Sequence, residues 1–480
     1  MSASGVKQPQ YDRSSTTVGI VHFGVGGFHR AHQAMVVDTL MNEGKALDWA
    51  ICGVGVLPHD RAMRDALAAQ DCLYTLVLKH EDGTREARTI GSIKEYLFAP
   101  DDPDRVIERM ADPAVRIVSL TITEGGYNTN QVTGEFDDGN PDVVADLADG
   151  VRPRTVFGLV TEALRRRRQR GVAPFTIMSC DNIQGNGGVA ARAFTRFASL
   201  RDPELGDWIE RNVSFPNSMV DRITPVTTDE DRQSIAAEFS VTDAWPVVAE
   251  PFFQWVLEDA FPLGRPPYEE AGVQVVGDVE PYELMKLRLL NAGHQAIAYF
   301  GVLAGYTYAH EAARDPLFVG LLRRYWSQEA RPTLRPVPGV DLDEYTDELL
   351  QRFGNEYVRD TLARLATDSS DRIPKWLLPV VRDQLAAGGE VDAAAAIVAS
   401  WARYAEGVDE TGNPISIVDR YAAERHAAAL EQAADPLAFV RDESLFGSLA
   451  AESAFTEPYL RTLALLQATG ARAALKALAD

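Results

Sequence analysis

The chain has 480 residues, more than one compact core holds, so two or three domains are expected. Hydrophobic residues make up 46% and charged residues 24%, as in an ordinary globular protein, while 47 basic against 70 acidic residues give a net charge of −23. That surplus disfavours a nucleic-acid footprint or an anionic membrane surface as partner, both of which need basic surface, but it leaves room for one local cationic pocket.

Residues 1–15 are polar and lack the apolar core of a secretory signal, and no apolar run is long enough to span a membrane. The three cysteines, Cys52, Cys72 and Cys180, are far apart with apolar neighbours. They read as small buried hydrophobes in a reducing compartment, not as a disulfide or zinc framework, and a cytoplasmic setting is expected.

In chain order, strands are predicted over 17–23, 48–56, 72–79, 116–123 and 174–180, with helices over 30–42, 103–110 and 156–170. Short apolar runs alternating with helices predict an α/β fold: an N-terminal Rossmann-type, doubly wound, mostly parallel sheet buried on both faces. From Pro281 the pattern turns helical: 281–303, 316–327, 344–353, 358–366, 376–385, 391–404, 422–433 and from 459 on. The expected domains are therefore 1–280, with a core of about 17–200, and a mainly α-helical 281–480, the boundary lying between 205 and 281. The run Arg165–Arg168 with Arg170 reads as the solvated face and last turn of a helix, where cations oppose the helix dipole, rather than as a nucleic-acid patch.

Gly24-Val25-Gly26-Gly27-Phe28-His29-Arg30-Ala31-His32 falls between the first strand and the first helix, where a dinucleotide-binding turn belongs. Gly24 permits the tight turn, and Gly26 lets the backbone approach a pyrophosphate. The helix start offers N–H groups and partial positive charge to that anion. The third glycine of the usual pattern is absent, because position 29 is histidine. Asp60 follows the second strand, where an acidic side chain accepts from ribose hydroxyls and repels a 2′-phosphate. It comes later than the usual spacing of about 20 residues, so a plain surface role for Asp60 stays open.

Thr123-Glu124-Gly125 and Asn182 follow two further predicted strands, and carboxyl ends of parallel strands are where such folds hold ligands. Asn182 is thus a candidate amide donor and Thr123–Gly125 a candidate nicotinamide contact, with loop turn chemistry as the alternative. In the helical half, Lys286, Asn291 and His294 form a polar cluster in an apolar context. On an α-helix Asn291 lies about 140° and His294 about 80° from Lys286, so the three share one broad face. A partly desolvated lysine serves as a base towards an alcohol, an asparagine donates to a developing oxyanion, and a histidine holds a hydroxyl or orients the base. A helix with one solvated face accounts for the same pattern.

Taken in order, Gly-Val-Gly-Gly-Phe-His-Arg-Ala-His, Thr-Ile-Thr-Glu-Gly-Gly-Tyr, Ser-Cys-Asp-Asn, Phe-Pro-Asn-Ser-Met-Val-Asp-Arg-Ile-Thr-Pro and Lys286-x4-Asn291-x2-His294 closely resemble the polyol-specific long-chain dehydrogenases of the mannitol dehydrogenase family. The resemblance covers nearly the whole chain. It implies an NAD enzyme without a metal that interconverts D-mannitol and D-fructose. It makes Lys286 the general base, Asn182 and Asn291 the holders of the reacting oxygen, and His294 a substrate-positioning residue. Glu283 becomes a carboxylate on the proton path, and Asp221, Arg364 and Arg372 become substrate contacts. The implied cofactor set is Gly24, Val25, Gly26, Gly27, Phe28, His29, Arg30, Thr123, Glu124 and Gly125, with Asp60 favouring NAD over NADP. Two positions depart from the family pattern. His59 stands where a second acid occurs, which weakens exclusion of NADP, and Arg372 stands where a lysine occurs.

The cysteines and histidines offer no spacing for a catalytic zinc, so a lysine base is the natural replacement. The expected partner is a small polyol or ketose, with neither nucleic acid nor membrane. A monomer fits the length and an oligomer stays open. The alternatives are a fructuronate or tagaturonate reductase, a D-arabinitol dehydrogenase, and an NAD-binding protein without turnover.

Overall fold

The buried apolar runs of the first half assemble into one parallel sheet. In the computed structural model, which describes residues 5–129, 135–148 and 150–479, the strands are β1 (Val18–Phe23), β2 (Ala50–Gly55), β3 (Tyr74–Lys79), β4 (Arg85–Ile90), β5 (Ile93–Phe98), β6 (Ile117–Leu120), β7 (Thr176–Ser179), β8 (Ser218–Asp221), β9 (Val247–Ala249), β10 (Gln254–Glu258) and β11 (Gln274–Val276). The main sheet has the order β5-β2-β1-β6-β7 and every pairing in it is parallel. Val21 lies opposite Cys52 on one side and Val118 on the other. Every residue of β1, β2, β6 and β7 is buried, which is why these strands read as unbroken apolar runs. The chain builds outward from β1 to β2 and β5, then returns to the other side of β1 for β6 and β7. The switch point between β1 and β6 is where such sheets take ligands.

The sheet differs from the sequence expectation in one member. Residues 72–79 supply β3, which pairs antiparallel with β4 and parallel with β9 in a separate three-stranded sheet. The edge place is taken by β5, whose Ile-Lys-Glu-Tyr-Leu-Phe sequence carries half-buried polar residues and so hides among surface segments. A third small sheet, β11-β10-β8, ends the unit. The predicted 30–42 helix starts earlier and is broken at His32, giving Gly27–Ala31 and Gln33–Asn42. In the arginine run, Arg165, Arg166 and Arg170 pair with Glu162, Asp104 and Glu108. Arg167 is not on a solvated face. It is fully buried and donates to the carbonyls of Ala173, Met110, Asp112 and Val115, clamping the chain ahead of β6.

The chain divides into two units, Met1–Val279 and Glu280–Asp480. The second is built from helices joined by loops and, among its described residues, has no strand beyond isolated bridges. Its Asp392–Tyr404 helix, buried along most of its alanine-rich length, packs against Ala292–Leu303 and Ser453–Thr469. The predicted 281–303 helix has three parts: Glu280–Met285, a π-helical turn Lys286–Asn291, and Ala292–Leu303. A second π-turn, Tyr325–Ala330, continues the helix Pro316–Arg324. The two turns brace each other. Tyr325 Oη donates to the Arg288 carbonyl at 3.0 Å and Trp326 Nε1 to the Leu289 carbonyl at 2.8 Å, giving side-chain partners to backbone groups of the wide turn. The expected 358–366 helix is only the turn Leu362–Leu365, and 376–385 is covered by Ser369–Trp376 and Leu378–Ala387. Among the described residues no helix is long and apolar enough to cross a membrane. The three cysteines are free and buried.

Candidate active site

The glycine turn follows β1 directly. Gly24 has φ +87°, and a Cβ there would run into the carbonyl oxygen of Thr121 at the end of β6, so only glycine fits. Gly26 has an ordinary φ of −92° and is exposed, and a Cβ on it would have no neighbour closer than the Gly24 oxygen at 3.9 Å. Its glycine therefore keeps open the space above the turn, the cradle that a pyrophosphate needs. The N–H of Gly26 is already donated to the Gly24 carbonyl at 2.7 Å, and the Gly27–Ala31 helix begins directly after it.

The missing third glycine has a physical substitute. The His29 ring stacks on His22 of β1 with centroids 3.4 Å apart, a flat pair that lets helix and strand approach. His22 meets Ser119 Oγ at 2.8 Å and Thr121 Oγ1 at 2.9 Å, and burial pushes it down to about 3. Burial, reinforced by His22, Arg30 and His32, likewise holds His29 well below the usual imidazole range. Both rings are neutral. Arg30 is buried too, donating to the carbonyls of Gly26 and Trp245 and lying over Tyr74. The side chains of His29 and Arg30, expected at the cofactor, therefore point into the core, and only their backbone belongs to the turn. Phe28 is half-buried and stacks on His32.

Asp60 begins the helix Asp60–Ala69 after β2. Its Oδ2 accepts from the backbone N–H of Val56 and Leu57, both at 2.9 Å, and Oδ1 lies 3.5 Å from His59 Nε2. A line of contacts joins it to the glycine turn. Val25 and Tyr96 pack over Gly53, and Tyr96 and Asp60 pack over Gly55, where Cβ atoms on either glycine would collide with them. Beyond β6, Thr123, Glu124 and Gly125 are exposed in the short helix Thr123–Gly126, with Thr123 at φ +64°. Asn182 is exposed just beyond β7. The turn, Asp60, Thr123–Gly125 and Asn182 thus all stand at the carboxyl ends of main-sheet strands. Asp221 is buried at the end of β8, opposite Gln254 of β10. Asp181, buried between β7 and Asn182, escaped the sequence reading. An acid directly after a buried strand was its signal.

In the helical unit, Lys286, Asn291 and His294 are all buried, as is Glu283 one turn earlier. The π-turn alters their geometry. An i→i+5 bond from Ala292 N–H to the Leu287 carbonyl closes it, and residues five apart come nearly into line, so Lys286 and Asn291 lie closer in angle than an α-helix allows. The Oδ1 of Asn291 is buried with no hydrogen-bond partner among the described residues. His294 stacks on Phe353 at 4.2 Å. Burial, then the charges of Arg364, Arg352, Arg372 and Lys286, hold it well below its usual range and keep it neutral.

Arg364 is exposed and grips Asp360 through Nε and an amino group. Arg372 donates to the carbonyls of Arg364 and Leu365, and Gln295 donates to the same Leu365 carbonyl, tying this loop to the Lys286 helix. Arg352 was not anticipated. It lies on the buried face of Leu342–Phe353 with Tyr345 and Leu349, and a cation in an apolar stripe was the available signal. Among the described residues no group of three or more histidine, cysteine or acidic side chains could hold a metal ion.

Two family models match the chain, the mannitol dehydrogenase Rossmann domain over residues 18–270 and the mannitol dehydrogenase C-terminal domain over 278–466. Mannitol 2-dehydrogenase of Phaeosphaeria nodorum is 47% identical over 474 residues, covering 98% of this chain and 83% of the relative. Mannitol dehydrogenase 2 of Saccharomyces cerevisiae is 46% identical, covering 98% and 94%. Among solved structures, the Pseudomonas fluorescens mannitol 2-dehydrogenase ternary complex with NAD and D-mannitol aligns with a TM-score of 0.92 at 46% identity, over 99% of this chain and 97% of that one. A substrate-free D-sorbitol dehydrogenase aligns with a TM-score of 0.90 at 40% identity, over 98% of each chain. With both family models matched in order over nearly its full length, the chain belongs to the mannitol dehydrogenase family.

Proposed function

We infer that the protein is an NAD-dependent polyol dehydrogenase that oxidises D-mannitol to D-fructose and catalyses the reverse reduction. The observation that carries this reading is the buried π-turn that brings Lys286 and Asn291 close in angle, in a chain similar over 99% of its length to an enzyme solved with NAD and D-mannitol.

In this reading the Met1–Val279 unit holds the dinucleotide and the Glu280–Asp480 unit supplies the base. The open cradle at Gly26, the first N–H groups of Gly27–Ala31 and the Asp60 carboxylate fit a dinucleotide with free ribose hydroxyls, with Thr123–Gly125 on the nicotinamide side. When bound, that cofactor supplies the hydride acceptor. Lys286, as the neutral amine, takes the proton of the C2 hydroxyl, and its ammonium form returns the proton in reduction. Asn291 and Asn182 donate to the oxygen as it gains negative charge, and Glu283 passes the proton on towards solvent. His294, neutral at working pH, holds a substrate hydroxyl, and Asp221, Arg364 and Arg372 bind the others. Proton transfer to lysine leaves the scheme no need of a metal.

A cytoplasmic setting fits the buried free thiols. The test is a substrate panel: NAD-linked oxidation of mannitol, sorbitol and arabinitol, and NADH oxidation with fructose, xylulose and fructuronate. Mannitol and fructose are expected to give the highest kcat/KM. A clear preference for fructuronate would make the protein a hexuronate reductase, and NADH binding without turnover would make it a sensor.

A further inference from the structure

Asp181 is buried where β7 ends, and both of its oxygens are filled from another loop. Oδ1 accepts from Thr123 N–H at 2.8 Å, and Oδ2 accepts from Ile122 N–H at 3.1 Å and from Tyr127 Oη at 2.7 Å. Tyr127 Oη is also 2.5 Å from Ser179 Oγ, which accepts the N–H of Asp181 itself. This grip holds Thr123 at φ +64°, a left-handed conformation that is costly for a β-branched residue. The backbone of Asp181 is held as firmly. Its carbonyl accepts from Asn186 Nδ2 at 3.0 Å, and the same amide donates to Ser218 of β8 at 2.7 Å.

We propose that Asp181 is a positioning residue that locks the Thr123–Gly125 turn and the backbone carrying Asn182 into one frame, so that a single carboxylate sets both the nicotinamide contact and an oxyanion donor. The proposal rests on the roles given above to Thr123–Gly125 and Asn182. A carboxylate is required because three donors converge on it. An amide at 181 would turn its own N–H groups against one of them. Burial pushes the Asp181 carboxyl up to about 6, with the charge of Glu124 in the same direction, while the hydrogen bonds from Tyr127, Ile122 and Thr123 oppose it. The other titratable groups facing it, Tyr127 and Cys180, are themselves pushed up by burial and stay neutral. Once protonated, Asp181 gives up an acceptor site and the turn loosens.

The test is fructose reduction by the holoenzyme between about pH 5 and about 8, together with NADH affinity by fluorescence. In this direction Lys286 works as the ammonium, so its own titration does not lower the rate on the acid side. Wild type is expected to lose kcat and NADH affinity below about pH 6. Asp181→Asn is expected to fall at least about tenfold in kcat at neutral pH, with a smaller change in the KM for fructose, and to show no acid limb. Tyr127→Phe, which removes one donor, is expected to lose less and to keep the limb. Near-normal kcat with an unchanged acid limb in Asp181→Asn overturns the proposal. So does full activity of Tyr127→Phe should the first variant fail to fold. A wild type that binds NADH but reduces no fructose contradicts the functional reading instead, and the pH dependence of NADH affinity in wild type and Asp181→Asn then decides the role of Asp181.

Discussion

The indole Nε1 of Trp326 donates to the carbonyl oxygen of Leu289 at 2.8 Å, inside the π-turn that runs from Lys286 to Asn291. Trp326 itself lies in the second π-turn, so two wide turns are joined at the point where the base and an amide donor are spaced. Trp326→Phe keeps most of the packing but removes the side-chain donor to this carbonyl, which then keeps only the Ala292 N–H, at a cost of about 0.5–1.5 kcal/mol. The expected outcome is a lower thermal midpoint and a fall in kcat larger than the change in KM. Tyr325→Phe, which removes the bond to the Arg288 carbonyl, should act in the same direction. Steady-state kinetics and thermal denaturation of both variants check this.

Two glycines of the cofactor turn should respond differently. Gly26→Ala meets no clash within the protein, so its thermal midpoint should stay unchanged while NADH affinity drops by about tenfold or more, because the added methyl occupies the cradle. Gly24→Ala collides with the Thr121 carbonyl at a positive φ and should lose stability as well as affinity. Fluorescence titration beside thermal denaturation separates the two effects.

Asp60 holds the Val56 and Leu57 N–H groups with one oxygen and turns the other towards His59. Asp60→Asn preserves the shape and removes the charge that repels a 2′-phosphate. The ratio of kcat/KM for NADH over NADPH should fall by about tenfold or more. An unchanged ratio would return Asp60 to a purely structural capping role.

Glu329 is buried, with its oxygens accepting the N–H groups of Ala393 at 2.6 Å and Ala394 at 2.8 Å. Burial pushes its carboxyl up to about 7 from an ordinary 4.5, so the folded chain binds this proton more tightly than the unfolded chain. The stability it contributes is fully present below about pH 4.5 and is lost as the pH rises through about 7, by something of order 3 kcal/mol. Relative to Glu329→Gln, wild type should therefore lose stability between about pH 5 and about 8. Denaturant unfolding of both proteins across that range measures the difference.

The sequence displayed the parallel sheet because β1, β2, β6 and β7 are buried on both faces and have no reason to alternate. β5 was illegible because an edge strand mixes polar and apolar residues, and the side sheet of β3 was illegible because strand partners do not show in a single run. The glycine turn was readable from Gly24 and Gly26, yet the inward course of His29 and Arg30 depends on His22 and Trp245, distant partners that no local pattern names. Lys286, Asn291 and His294 stood out as polar residues in an apolar helix. Their true spacing did not, because a π-turn held by Tyr325 and Trp326 is a tertiary effect laid over ordinary helical sequence.

The central claim is that Lys286 is the proton acceptor of an NAD-dependent mannitol oxidation. Its most direct test is the kcat for mannitol of wild type and Lys286→Ala, with NADH affinity measured on the same preparations. The account predicts a loss of several orders of magnitude in kcat with NADH affinity retained, since the lysine serves the chemical step and not the dinucleotide. A Lys286→Ala enzyme that turns over mannitol at close to the wild-type rate would contradict it.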